Sequence, residues 1–358
     1  MRTTILTLSS FSLGLISSLS FAQNIKPIVF EKDQWEMYCS NIGTCRAAGY
    51  QIEDDQLPAS ILITRKAGAN QGISVEYTLS DQDQELRYTA KDPIRFYLNG
   101  KDLGMIQPVS GDFSITGQLN KVQTQALSAL LKQKVRIEFK NKKYHWIVSD
   151  AGMTATLLKM DDFQKRVGTT NALIRKGSQN ESALLQPAPK LEVKKVKTSD
   201  KPYLTLKPST AQYKTLFSTL MAAKPKVKDP DEDICQGSYE GDNEGYRFGN
   251  IELYKLTNNK ILATTLCWSG AYNQGYGAWV VDQSLKGKAE FVSESVSDVL
   301  SGELVAAHKG RGVGDCWSNE QWIWNGARFI QTSDRWSGAC KGVTGGMWSL
   351  EKIESDIR

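Results

Sequence analysis

Ile94-Arg95-Phe96-Tyr97-Leu98-Asn99-Gly100-Lys101-Asp102-Leu103-Gly104-Met105-Ile106 carries the clearest structural signal in the chain. An apolar, aromatic run suited to a pleated sheet meets Asn-Gly and then resumes. Asn-Gly tolerates the positive φ angles that a two-residue hairpin demands, so the stretch predicts two antiparallel strands. The same pattern returns where Gln321-Trp322-Ile323-Trp324 meets Asn325-Gly326 and continues through Arg328–Thr332. Hairpins in both halves point to a chain dominated by locally paired strands.

Working outward from the first hairpin, strand character appears at Trp35–Cys39, Cys45–Ile52, Ser60–Arg65 and Ser74–Leu79, and again at Val135–Phe139 and Tyr144–Val148. Leu119, Val122, Ala126, Leu127, Leu130 and Leu131 repeat at helical spacing. A second helix is expected from about Gly152 to Val167, with Met153, Leu157, Met160 and Phe163 on one face. Further along the chain, Ser209 or Thr210 would cap a helix bearing Tyr213, Leu216, Phe217, Leu220 and Met221. Strands then follow at Asn250–Leu256, Ile261–Cys267, Ala278–Asp282 and Gly302–His308. The expected fold class is α+β and β-rich, with two disulfide-stabilised domains. The N-terminal one is an antiparallel sheet with helices on one side; the C-terminal one is mostly antiparallel β.

Residues 1–22 read as a cleaved signal peptide: Arg2, an apolar run from Ile5 to Leu19, then Ser20-Phe21-Ala22 before the cut. The run is too short and too rich in Ser for a bilayer span, no Cys near the cut suggests a lipid anchor, and no later stretch could cross a membrane. The remainder divides into an N-terminal block (23–177), a Lys/Pro-rich linker (178–208) and a Trp-rich block (209–358). Between Gln186 and Lys228 ten Lys face only Glu192 and Asp200, more positive charge than the whole chain's net +5, so the rest is slightly acidic. Such a run can bind polyanions by counterion release. In an exported protein a solvated spacer is the favoured reading, and nucleic acid is not an expected partner. The six cysteines should pair in an oxidising compartment, here the periplasm. Cys39–Cys45 is expected to be local, with Cys235–Cys267 and Cys316–Cys340 favoured among the rest.

Catalytic signatures are sparse. His145 and His308 lie in or at the end of strands, without free cysteines to complete a zinc site. Ser349–Lys352 spells S-x-x-K but lacks the companion elements of penicillin-binding proteins. Gly310-Arg311-Gly312-Val313-Gly314 precedes a strand hairpin rather than a helix, so it reads as a tight turn beside a disulfide, not a phosphate loop. Asp229, Asp231, Asp233 and Glu240 match the ligand spacing of an EF-hand. However, Ile234 replaces the glycine that loop needs and Cys235 is expected in a disulfide, which favours an acidic turn over calcium. No cofactor or other metal is expected. The remaining signal is aromatic: Trp268, Tyr272, Tyr276, Trp279, Trp317, Trp322, Trp324, Trp336 and Trp348 exceed what one small β core needs. On alternating strands about half should face outward, and exposed Trp beside Asn, Gln and Gly suits sugar or peptide binding.

Several segments together resemble a family of exported six-cysteine proteins, domain of unknown function 1176. These are Trp35–Cys39 with Cys45-Arg46-Ala47-Ala48-Gly49, Leu62–Arg65, Asp161–Thr169 with Ala172-Leu173-Ile174, Cys267–Asn273, Cys316–Phe329 and Cys340-Lys341-Gly342. The N-terminal block is also similar to invasion-associated locus B proteins. Both likenesses imply an exported, disulfide-bonded protein, and neither transfers a catalytic residue. The leading expectation is a non-catalytic periplasmic binding or envelope-associated protein contacting an envelope protein, peptide or glycan. The alternatives are an inhibitor or stress-protective factor against cell-wall hydrolases, and a hydrolase using two carboxylates drawn from Asp282, Asp298, Glu303 and Asp315.

Overall fold

A computed structural model describes residues 25–52, 57–81, 83–226, 235–239 and 246–358. The expected signal peptide and the acidic segment with Asp229, Asp231, Asp233 and Glu240 lie outside the described residues.

Strands β1 (Ile28–Lys32), β2 (Trp35–Cys39), β3 (Cys45–Tyr50), β4 (Ala59–Arg65) and β5 (Ile73–Leu79) form an antiparallel meander. β6 (Arg95–Leu98) and β7 (Lys101–Met105) are the predicted hairpin, with Asn99 and Gly100 at φ 51° and 78° as its turn requires. β8 (Val109–Ser110) and β9 (Ile115–Gln118) extend the first sheet past β5. After helix α1 (Lys121–Leu130), β10 (Ile137–Lys140) and β11 (His145–Val148) complete a second sheet with β6 and β7, and helix α2 (Met153–Phe163) closes the block.

Alternation along these strands gives the first sheet two apolar faces. Trp35, Met37, Ala47, Ile61, Ile63, Val75 and Tyr77 point into a core shared with Leu127 of α1 and Met153, Leu157 and Met160 of α2. Tyr38, Ala48, Tyr50 and Leu62 point the other way. They are covered by Val343, Met347 and Leu350, with Trp336, Ala339 and Trp348 packed alongside. β2 is therefore buried at every position, the pattern of a strand covered on both faces.

Both helices differ in detail from their sequence periodicity. Val122, expected on the apolar face of α1, is 68% exposed, and Gln123 is buried instead. A capping box explains this: Asn120 accepts from Gln123 N, and the Gln123 amide returns the bond to Asn120 N while reaching the carbonyls of Leu103 and Met105. α2 stops at Phe163 rather than near Val167, because Lys165 turns left-handed at φ 57° and Gln164 donates inward to the Gly43 and Arg65 carbonyls.

Residues 178–208 are extended as expected, but they are not a solvated spacer. Leu185 is buried against Ile25 and Ala67. β12 (Leu191–Val193) pairs in parallel with the last strand, β25 (Ser355–Ile357), and β13 (Leu204–Leu206) joins a sheet of the C-terminal half. Lys190, Lys194, Lys197, Lys201 and Lys207 are exposed and the half-buried Lys195 pairs with Glu303, while Val193 and Leu206 are buried, so the charge that suggested solvation does not keep the strap off the fold.

Thr210 caps helix α3 (Ala211–Ala222) by accepting from Tyr213 N, the predicted start. After the short pair β14 (Ser238–Tyr239) and β15 (Tyr246–Arg247) come β16 (Ile251–Lys255), β17 (Lys260–Ser269), β18 (Gln274–Asp282) and β19 (Glu290–Val296), which form an antiparallel sheet with β13. β20 (Asp298–Leu300), β21 (Glu303–Lys309), β22 (Trp317–Trp324), β23 (Phe329–Trp336) and β24 (Leu350–Ile353) form another, in that order. α3 covers one face of the first of these sheets, through Tyr213, Leu216 and Leu220 against Ile251, Leu253, Ala263 and Trp279. Tyr254, Leu262, Leu304, Ala306 and Trp322 pack between the two sheets. Disulfides join Cys39 to Cys45, Cys235 to Cys267 and Cys316 to Cys340, the pairs favoured from the sequence.

Candidate functional site

The aromatic residues expected to form one surface are dispersed. Trp279, Trp322 and Trp324 are corrections: they are at most 6% exposed and fill cores, with Trp324 donating from Nε1 to Thr257 Oγ1 at 2.9 Å. Trp268 lies 5.0 Å from the His308 ring, centre to centre, and Tyr272 donates to the Gly310 carbonyl. Tyr276 borders a hollow of about 200 Å³ with Glu252, Tyr254 and Asp298. Trp317, Trp336 and Trp348, by contrast, meet at one concavity of about 420 Å³.

Strand register builds the floor of this concavity. Ala307, Asn319 and Arg335 are direct cross-strand partners on β21, β22 and β23, so their side chains share one face. In the next row Lys309 opposes Trp317, its ammonium 5.5 Å from the indole centre. The Trp317 Nε1–H is committed to the Gly314 carbonyl at 2.9 Å, so the ring's carbon surface is what remains available.

The far wall is residues 337–349, a loop held at several points. Cys316–Cys340 ties it to the start of β22. Ser337 donates from N to the Trp317 carbonyl, its hydroxyl accepts from Trp317 N at 2.7 Å, and its carbonyl accepts from Met347 N and Trp348 N. Two glycines permit this closeness. A Cβ on Gly346, at φ +92°, would lie 2.2 Å from Ser337 Oγ, and one on Gly310 would lie 2.6 Å from Cys316 Sγ. The glycine-rich stretch is thus the tight turn beside a disulfide read from the sequence.

The loop is also fastened to the N-terminal sheet. Trp348 Nε1 donates to Ser60 Oγ at 2.7 Å, and Ala339 N donates to Glu36 Oε1 at 2.7 Å. Glu36 is 5% exposed and also accepts from the Tyr50 hydroxyl at 2.5 Å. Burial pushes its carboxyl up to about 7; hydrogen bonds from Tyr50, Ala339 and Trp336 oppose this, and Glu31 adds to it. The Tyr50 hydroxyl is pushed well up by burial and by Glu36, so it stays a donor.

Catalytic readings find little geometry. His308 Nε2 lies 3.4 Å from Ser297 Oγ but 3.1 Å from the Gln274 carbonyl. A nitrogen donating to a carbonyl has no lone pair left to take a serine proton. His145 serves Glu138, which Arg136 and Lys140 also hold. Of the four candidate carboxylates, Asp282 pairs with Lys260 and Asp298 accepts from its neighbour Val299 N. Burial raises Glu303, but Lys195 and Gln321 outweigh it and hold the carboxyl below its usual range; Arg311 and Gly342 N do the same for buried Asp315. No two of these four share a hydrogen-bond partner among the described residues. Asp315 lies beside Cys316 and Cys340, whose sulfurs are bonded to each other and so offer no thiolate to a metal.

Sequence reasoning did not single out Asn319, Arg335 or Glu36, and it weighed Ser349 only as the serine of an S-x-x-K pattern. The spacing Trp317/Asn319 on one strand face was available as a signal, as was a lone Glu within the apolar run Trp35–Cys39. A larger groove of about 620 Å³ borders Asn99, Val135, Ile147 and Asp150, but its Asn99 and Asp150 oxygens already accept from Arg136 N and Val135 N.

The fold and site define a class of disulfide-bonded, β-rich proteins in which a C-terminal tryptophan loop seals an N-terminal sheet. The chain belongs to the family described as "Protein of unknown function (DUF1176)", whose model matches residues 29–353. It is similar to "Uncharacterized protein YpfG" of Escherichia coli (strain K12), at 25% identity over 221 residues. That match takes in 53% of this chain and 57% of the relative, so it spans little more than half the relative's length. No solved structure matches. Among the described residues no helix is long and apolar enough to cross a membrane.

Proposed function

We propose that this is an exported, periplasmic, non-catalytic binding protein of the cell envelope, built from two disulfide-stabilised domains pressed face to face. The concavity at Trp317, Trp336 and Trp348 is its binding site. The observation that carries the reading is an aromatic hollow whose floor presents polar groups, Asn319 and Arg335, that no other described residue engages. Apolar walls with a few convergent polar groups are the usual form of a small-ligand site. Export is supported by the apolar run Ile5–Leu19 and by three disulfides. The resemblance of the N-terminal block to invasion-associated locus B proteins points to the same compartment.

The test is retention of the purified protein on peptidoglycan and on immobilised envelope extract, compared with Trp317→Ala. Retention that the substitution abolishes, with the circular dichroism spectrum unchanged, supports the reading. Equal retention of both proteins, or measurable turnover of envelope material, defeats it.

A further inference from the structure

The concavity also specifies a chemistry for its ligand, a step that rests on the binding role proposed for the same hollow. Its floor lies in the interior of a five-stranded sheet, because β21, β22 and β23 each have a strand on both sides. Their backbone donors and acceptors are consumed by the ladder, so an extended peptide finds no edge to pair with. Recognition has to come from side chains.

Those side chains are of two kinds. Trp317 and Trp348 have their indole N–H groups committed to Gly314 and Ser60, which leaves carbon surface for stacking. The Asn319 amide has both its donor and its acceptor unengaged, and the Arg335 guanidinium is exposed with no acid paired to it. Glu351, the register partner of Arg335 on β24, is held by Arg46 at 2.9 Å and by the Ser349 hydroxyl. Lys309 lies outside the lining, its ammonium spent over the Trp317 ring. A flat apolar face, an amide suited to paired hydroxyls and one unneutralised cation, Arg335, therefore converge on one hollow.

We infer that the Trp317–Asn319–Arg335 concavity binds an acidic saccharide, a sugar ring stacked on indole with its carboxylate on Arg335. Guanidinium matches carboxylate as a bidentate fork, while amide and hydroxyl partners orient the ring. The volume of about 420 Å³ falls within the range of small-ligand pockets and suits one or two rings rather than a long chain.

Calorimetry on the full chain tests this, with N-acetylmuramic acid and digalacturonic acid compared against the neutral sugars N-acetylglucosamine and galactobiose. The acidic sugars should bind about tenfold tighter, a difference of ~1.4 kcal/mol, and added salt should narrow the gap. Arg335→Gln should bring the ratio of acidic to neutral affinity to about one. Asn319→Ala should weaken every sugar that binds, and since both positions are at the site surface neither change threatens folding. Equal affinity for acidic and neutral sugars, or a preference that survives Arg335→Gln, overturns the acidic assignment and leaves the binding reading standing. Sugars that fail to bind while an envelope protein is captured through Trp317 overturn the saccharide alone. Failure of every envelope component to bind overturns both.

Discussion

Glu36 offers a test of how the tryptophan loop is joined to the N-terminal sheet. Its carboxyl is buried at the contact, receives Tyr50 and Ala339 on one oxygen, and is pushed up to about 7 from 4.5. The folded protein therefore keeps this proton where the unfolded chain has released it. The resulting stability is fully present below the unfolded value and is lost as pH rises through about 7. At ~1.4 kcal/mol per unit, a gap of this size corresponds to roughly 3 kcal/mol lost by mildly alkaline pH. Glu36→Gln mimics the protonated acid: its amide oxygen still accepts from Tyr50 and Ala339, and nothing titrates. Urea unfolding followed by tryptophan fluorescence, from about pH 5 to about pH 8.5, should show the variant close to wild type at the acid end. At the alkaline end it should be more stable by roughly 3 kcal/mol. A difference constant to within ~0.5 kcal/mol across that range would refute the buried, proton-retaining carboxyl.

The fate of the other tryptophans can be tested independently. Trp324→Ala should cost about 3–5 kcal/mol in urea unfolding, as for a large buried side chain, and a change under ~1 kcal/mol would place the ring back at the surface. Under native conditions trypsin should cut slowly at Lys194, Lys195 and Lys197. Val193 is buried there, and Lys195 N and Val196 N donate to the Arg358 and Trp324 carbonyls. Rapid cleavage at those three sites would restore the solvated linker.

Local grammar carried far in this chain because most of its strands pair with sequence neighbours. The two Asn-Gly hairpins, the Thr210 cap and the Cys39–Cys45 link across β2 and β3 are all set by residues close in sequence. What was not legible depends on remote partners. β12 gains its partner from Ser355–Ile357 at the far end of the chain, so Lys-rich composition in that segment looked like a spacer. The tryptophans failed for a related reason. Alternation tells which residues share a face, but not whether another sheet covers it, and packing between two sheets took Trp322 while α3 covered Trp279. Arg335 drew no notice as one exposed cation among many, and it gained meaning only from its place in the row with Ala307 and Asn319.

The joint between the two halves gives a physical reason for a single family model to span residues 29–353. Tyr38, Ala48, Tyr50 and Leu62 form an apolar sheet face that meets Val343, Met347 and Leu350, and Glu36 lies at that same contact with its acceptor oxygen filled by Tyr50 and Ala339. Separated, the sheet would expose that apolar face, and the buried carboxyl would keep Tyr50 but lose its bond from Ala339 N. The loop, in turn, would lose the Ser60 and Glu36 contacts that hold Trp348 and Ala339. The wall of the concavity is thus positioned from both ends of the chain: by the Cys316–Cys340 bond on one side and by the N-terminal sheet on the other. Conserving the site then requires conserving the sheet face behind it. The proposed binding hollow and the folding contact share one loop, so they would be inherited as a unit.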